Sequence, residues 1–178
     1  MRGRMDGGKP RIPFQVRTIR GSTFNTIGPA VPEFEIEVGK RLLRANHYHD
    51  LGGILEVFVL DVYCLRTIPC NALVLDLGAG IGDFSLAASN RLRGGGLILA
   101  LEPNPTDFQL LRTNLQLNHV RNVIPEECAL GREPGLVSLS FKGTSFVARS
   151  VPLDDILKSA GSFYSRRSLS HPIFVKMD

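Results

Sequence analysis

Cysteine is scarce in this chain of 178 residues, and Cys64, Cys70 and Cys128 form neither an even disulfide set nor a paired metal motif. A disulfide scaffold is thereby excluded. The three thiols read as small buried hydrophobes in a reducing compartment. Long apolar runs are missing too: the stretch from Ile54 to Leu65 is broken by Glu56 and Asp61 and falls short of the roughly twenty residues that span a bilayer. No membrane span is read. The basic amino terminus is not followed by an apolar core of the kind a secretory signal carries, so the cytoplasm is the default location. Aromatics are sparse where a nucleic-acid arm would use them. Arg2, Arg4, Lys9, Arg11, Arg17 and Arg20 crowd the first twenty residues, but Phe14 is their one aromatic companion, and glycine and proline are frequent. This composition reads as a mobile tail, against nucleic acid as a partner.

What is present is enough for one core of ordinary size, with 43% hydrophobic residues and a net charge of +4. Residues 1–20 are taken as the basic tail, 21–70 as an N-terminal cap of short strands and helices, and 71–178 as the main domain. Within the cap, residues 39–68 carry Leu42, Leu43, Leu51, Ile54, Leu55, Phe58, Val59 and Val62 at helical spacing, with Gly52-Gly53 as a break. From Ala72 onward strands and helices alternate, which predicts a parallel sheet with right-handed crossovers. Helices are expected from Asp83 to Leu92, from Pro105, N-capped by Asn104, to near Asn118, and from Asp154 to Leu157. Strands are expected at Leu73–Leu77, Ile98–Leu101, Val123–Leu130 and Ile173–Met177, with an antiparallel excursion over Leu136–Phe141.

The most informative segment is Asp76-Leu77-Gly78-Ala79-Gly80-Ile81-Gly82-Asp83, followed about twenty residues later by Leu101-Glu102-Pro103. Alternate glycines let a strand turn sharply and approach a ligand closely, and an acid ending the next strand can accept hydrogen bonds from both hydroxyls of a ribose. This is an adenosine site. The third glycine follows the second by two positions rather than three, and Asp83 opens the next helix where a diphosphate would be repelled. A nicotinamide dinucleotide is therefore disfavoured. Asp76 suits a ligand with a cationic end, so the spacing points to S-adenosylmethionine and to motif I of the class I methyltransferases.

Beyond those blocks, Leu115-x-Leu117-Asn118, Ala129-Leu130-Gly131, Val151-Pro152-Leu153-Asp154-Asp155-Ile156-Leu157 and Val175-Lys176-Met177-Asp178 complete a pattern that resembles the FkbM family of methyltransferases. The resemblance implies an α/β, Rossmann-like sheet with parallel strands and flanking helices. It also implies transfer of a methyl group from S-adenosylmethionine to a hydroxyl oxygen of a small molecule or saccharide. Because family members continue past the final aspartate with further strands, it further implies a sheet incomplete on its C-terminal side. A homodimer through the exposed sheet edge is compatible with that.

Methyl transfer from a sulfonium is an in-line displacement whose donor is already activated, so the protein mainly has to position the two reactants. The expected cofactor-binding residues are Asp76, Gly78, Ala79, Gly80, Gly82, Glu102, Asn104, Cys128 and Ala129, the last two flanking adenine beside Glu127. Asp178, at the carboxyl end of the last strand, is the expected catalytic residue. No metal site is assigned: His47, His49 and Asp50 lack a third distant ligand and read as a polar helix terminus. Two other readings stay open. One is an RNA methyltransferase that uses the basic amino terminus, and the other is a non-catalytic module that binds the cofactor or a partner.

Overall fold

The computed structural model describes residues 14–18, 34–92, 95–141, 143–164 and 172–177. Its centre is a four-stranded parallel sheet in the order β10-β4-β5-β6, formed by β4 (Leu73–Leu77), β5 (Leu97–Leu101), β6 (Val123–Glu126) and β10 (Ile173–Met177). Leu73 is level with Leu97 on one side and with Ile173 on the other. The chain leaves β4 toward β5 and returns to β10 on the opposite flank, so the order reverses beside β4. In open α/β sheets ligands bind at such a reversal, outside the carboxyl ends of the strands.

Strand alternation divides the core into two layers. Val74, Ile98 and Ala100 point to one face, where they meet Phe84, Leu86 and Ala88 of α2 (Asp83–Leu92) and Leu110 and Leu111 of α3 (Pro105–Leu117). Leu73, Leu75, Leu77, Leu97, Leu99 and Leu101 point to the other, against Ile156 and Ala160 of α4 (Leu153–Tyr164). Both faces of β4 and β5 are buried, which is why these strands read as unbroken apolar runs. The fold is the α/β, Rossmann-like arrangement expected.

A second, antiparallel sheet in the order β1-β2-β3 joins Phe14–Thr18, Phe34–Val38 and Arg41–Ala45. The strand at 14–18 falls within the segment taken as tail, where the apolar–polar alternation of residues 12–38 also reads as short strands; the remainder of residues 1–20 lies outside the described residues. Arg41–Ala45 corrects an expectation. Leu42 and Leu43 fit a helical spacing, but they sit in a strand whose Leu43 and Ala45 are buried, and the helix α1 starts only at Tyr48. Gly52-Gly53 does not break it: α1 runs to Leu55 and continues as a π-helical turn over Glu56–Leu60. Gly53 packs against the Asp83 side chain: a Cβ there would stand 2.7 Å from its carboxylate, which would have to shift.

Two asparagines one helical turn apart fasten the small sheet to the large one. Asn118 accepts from Leu42 N–H at 3.1 Å and donates to Leu42 O at 2.6 Å, while Asn114 accepts from Arg44 N–H at 2.6 Å and donates to Arg44 O at 2.9 Å. Four residues of helix rise by about 6 Å, close to the rise of two residues of strand, so the amides act as a substitute strand beside β3. Asn114 also donates to Ile81 O at 2.8 Å and so ties this joint to the glycine loop.

The segment Val123–Leu130 is not one strand. It splits into β6 and β7 (Ala129–Leu130), and β7 joins a third sheet, β7-β9-β8, with β8 (Gly135–Phe141) and β9 (Thr144–Val151). The expected antiparallel excursion is the β8–β9 hairpin.

Candidate cofactor-binding site

The glycine loop begins where β4 ends. Gly78 N–H and Ala79 N–H both donate to Leu101 O, at 3.0 and 2.9 Å, so the loop is gripped by the end of β5. Gly78, Gly80 and Gly82 all have positive φ, the region that L side chains rarely adopt. Their roles differ. Gly80 has open space where a Cβ would stand, on the wall of a cavity, whereas a Cβ on Gly82 would meet Leu111 Cδ1 at 2.5 Å. Gly82 therefore serves the close packing of α3 against the loop and does not line the cavity.

Glu102 closes the site from β5. Its Oε2 accepts from Gly80 N–H and its Oε1 from Asn104 N–H, each at 2.7 Å, so one carboxylate joins the glycine loop to the start of α3. Burial pushes its pKa up to about 7, against the lowering effect of the two backbone N–H bonds, with the charges of Asp107 and Asp76 adding to the rise. Asn104 N-caps α3, its side chain accepting from Thr106 N–H and Asp107 N–H, and it also borders the cavity.

That cavity has a volume of about 370 Å³. One wall is Gly78, Gly80, Glu102, Pro103, Asn104 and Asp107, and the facing wall is Leu139, Ser140, Phe141 and Phe146 of the β8–β9 hairpin. A polar, hydrogen-bonding side opposite an apolar aromatic side is what a nucleoside requires. The hairpin residues escaped the sequence reading. Leu139 and Phe141, two apart on one strand face, were the available signal.

Several expected contacts lie elsewhere. Asp76, expected to meet the ligand's cationic end, is fully buried under the loop, where it pairs with Lys176 Nζ at 3.1 Å and accepts from Ser85 Oγ at 2.6 Å. Lys176 also donates to Gly78 O at 2.7 Å and lies over the rings of Tyr63 and Phe84. The cation Asp76 holds belongs to the protein. Cys128 is buried in the core layer beneath α4, and burial pushes its thiol pKa up; neither it nor Ala79 nor Ala129 lines the cavity. Asp178 lies outside the described residues. His47 N-caps α1, and Asp50 accepts from Asn46 N–H and His47 N–H, a capping arrangement that accounts for the His-x-His-Asp cluster.

The start of α2 is unsuited to a phosphate, because Asp83 Oδ1 itself accepts the Phe84 N–H at 2.8 Å. An uncharged nucleoside fits, and S-adenosylmethionine supplies one attached to a sulfonium. Fold and loop together define a Rossmann-like domain of the S-adenosylmethionine methyltransferase type. A family model described as the TRM5/TYW2 methyltransferase domain matches residues 64–132, the segment that holds the glycine loop, Glu102, Asn104 and Asp107. This overturns the FkbM resemblance, whose glycine-loop and Glu102 blocks are shared among methyltransferases and whose narrowing motifs, Leu153-Asp154-Asp155 and Lys176-Met177-Asp178, lie outside that segment.

Among relatives, Methyltransferase 1 of Beauveria bassiana is 33% identical over 86 residues, 48% of this chain and 34% of that protein. A tRNA(Phe) (4-demethylwyosine(37)-C(7)) aminocarboxypropyltransferase of Methanocaldococcus jannaschii is 40% identical over 55 residues, 31% of this chain and 22% of that protein. The crystal structure of M. jannaschii TYW2 in complex with AdoMet matches with a TM-score of 0.42 and 24% identity, covering 56% of this chain and 44% of that one. The chain spans about a third or less of the length of the curated relatives it matches. A relative that acts on tRNA overturns the reading against nucleic acid, which was drawn from the amino-terminal arm alone. No helix among the described residues is long and apolar enough to cross a membrane.

Proposed function

We propose that this chain is the cofactor-binding part of an S-adenosylmethionine-dependent methyltransferase whose acceptor is tRNA. The observation that carries the reading is the match of residues 64–132 to the TRM5/TYW2 methyltransferase domain, since those residues build the cavity wall from Gly78 to Asp107. Support comes from the relative that modifies tRNA(Phe), and it replaces a hydroxyl-bearing small molecule with a nucleobase as the acceptor.

In this reading S-adenosylmethionine supplies an activated methyl group on its sulfonium. The chain's own task is placement. Glu102, already holding Gly80 and Asn104, presents its remaining lone pairs to the ribose hydroxyls, Gly78 and Gly80 let the backbone pass close to the nucleoside, and Phe141 and Phe146 cover its apolar face. Excluding water from one side of the ligand keeps the acceptor's approach to a single direction.

The test incubates the protein with tRNA and S-adenosylmethionine labelled in the methyl group or, separately, in the carboxyl group. Methyl label in tRNA is the expected result. Carboxyl label in tRNA would replace methyl transfer with aminocarboxypropyl transfer. Label in neither, with methyl label appearing on a small hydroxyl compound, would overturn the tRNA reading.

A further inference from the structure

A second cavity, of about 270 Å³, lies between the C-terminal half of α3, the turn that follows it and the edge strand β6. Its rim carries Arg112, His119 and Arg121 around a floor that includes Leu115, Val120 and Val123, and no acidic side chain lines it. All three rim residues are exposed, and among the described residues none has a hydrogen bond or ion pair to another side chain. We propose that this cleft binds the phosphodiester backbone of the RNA acceptor. The inference rests on the tRNA reading and extends it to a site remote from the cofactor.

The turn itself is unusual. His119 N–H donates to Gln116 O at 3.0 Å and Val120 N–H to Leu115 O at 3.0 Å, which is the Schellman pattern that ends a helix. Glycine is the usual residue at the left-handed position of that pattern, yet here it is His119, with φ of 53°. A side chain at that position costs stability, so the chain keeps an imidazole where glycine would be favoured. The turn holds that residue on the rim of the cleft that Arg112 and Arg121 also line.

The edge strand argues for a polyanion over an added protein strand. Asn122 O and Glu126 O accept from Ile98 N–H and Glu102 N–H, at 2.9 and 3.0 Å, which turns the backbone of the alternate residues Val123 and Pro125 outward. Pro125 has no N–H to offer, so the edge is a poor template for strand pairing. Charge complementarity then decides the occupant. Guanidiniums suit phosphate oxygens, stay ionised and offer forked donors. The distance is also suitable. α3 borders the cofactor cavity with Asp107 and this cleft with Arg112 and Leu115, five and eight residues or about 8 and 12 Å further along the helix. An RNA with one base at the cavity has ample length to reach the cleft.

The experiment measures binding of labelled tRNA to the full chain over a range of potassium chloride concentrations, for the wild type, the double variant Arg112→Gln/Arg121→Gln, and His119→Gly. The double variant should lose about tenfold or more in affinity near physiological salt, with the slope of log K against log salt reduced by about 1.4 to 1.8. His119→Gly should melt at a higher temperature than wild type and yet bind tRNA several-fold more weakly, an opposition that a structural role alone does not produce. Unchanged S-adenosylmethionine affinity, by calorimetry, verifies that each variant is folded. If wild type binds tRNA and the double variant matches it in affinity and slope, the cleft assignment is overturned. If inorganic phosphate displaces tRNA beyond the effect of equal ionic strength, the cleft belongs to a small anion. Failure of the wild type to bind any tRNA would overturn the tRNA reading itself.

Discussion

Lys176 on β10 stands 3.1 Å from Asp76 on β4, its register partner, with the two side chains 3% and 0% exposed. The same ammonium donates to Gly78 O, so a single buried cation neutralises the carboxylate and holds the first glycine of the loop. Burial of two charges is tolerable only because each is paired and hydrogen-bonded. The pair makes the loop's position depend on a strand almost a hundred residues later in the chain.

Lys176→Met should therefore destabilise the chain by about 3–5 kcal/mol, because it strands a carboxylate in the core. Urea denaturation measures this. Adding Asp76→Asn should restore most of the loss, and a single variant as stable as wild type would show that the pair is not buried as described.

Glu102 sets a pH dependence with two parts. Its pKa is raised to about 7 from an ordinary 4.5, so between those values the folded chain keeps a proton that the unfolded chain has lost. This group's contribution to stability accordingly declines as pH rises through that window and is level above it. Ribose hydroxyls donate to the ionised form, so affinity for S-adenosylmethionine should rise from about pH 6 to about pH 8, with proton release on binding. Calorimetry in buffers of different ionisation enthalpy reads both, and Glu102→Gln should abolish the dependence while weakening binding.

Asn114→Leu removes three hydrogen bonds at once and leaves Arg44 N–H, Arg44 O and Ile81 O without that partner. A loss of about 2 kcal/mol or more is expected from the unsatisfied backbone groups. Hydrogen exchange should localise it, with the Arg44 amide exchanging faster than in wild type.

Phe146→Ser tests the hairpin wall. Phe146 is half-buried and lines the cavity opposite Glu102, so its removal should lower affinity for S-adenosylmethionine about tenfold with little change in melting temperature. Equal affinity in the variant would mean that the hairpin does not cover the ligand.

The elements that carry the candidate site were legible because their signals are local. Apolar strands buried on both faces, glycines at positive φ, an acid at a strand end and an Asn-Pro helix start each act over a few residues, and β4, α2, β5 and α3 fall where those signals put them. Boundaries failed where two signals overlapped. Leu42 and Leu43 fit a helical repeat, but pairing with β2 and the Asn114 and Asn118 amides gave that segment better hydrogen bonds as a strand.

The amino-acid sequence by itself determined the Rossmann-like fold, the glycine loop after β4 and the acid after β5, since each follows from short-range sterics and from one residue's chemistry. Only the tertiary structure decided which residues surround that site. It set Asp76 against Lys176 beneath the loop and Gly82 against Leu111, and it brought Phe141 and Phe146 to the cavity wall. It also gathered Arg112, His119 and Arg121 around one cleft. The reason is physical: the direction of a buried charge and the partner of an exposed one depend on contacts between segments far apart in the chain, which no local pattern encodes.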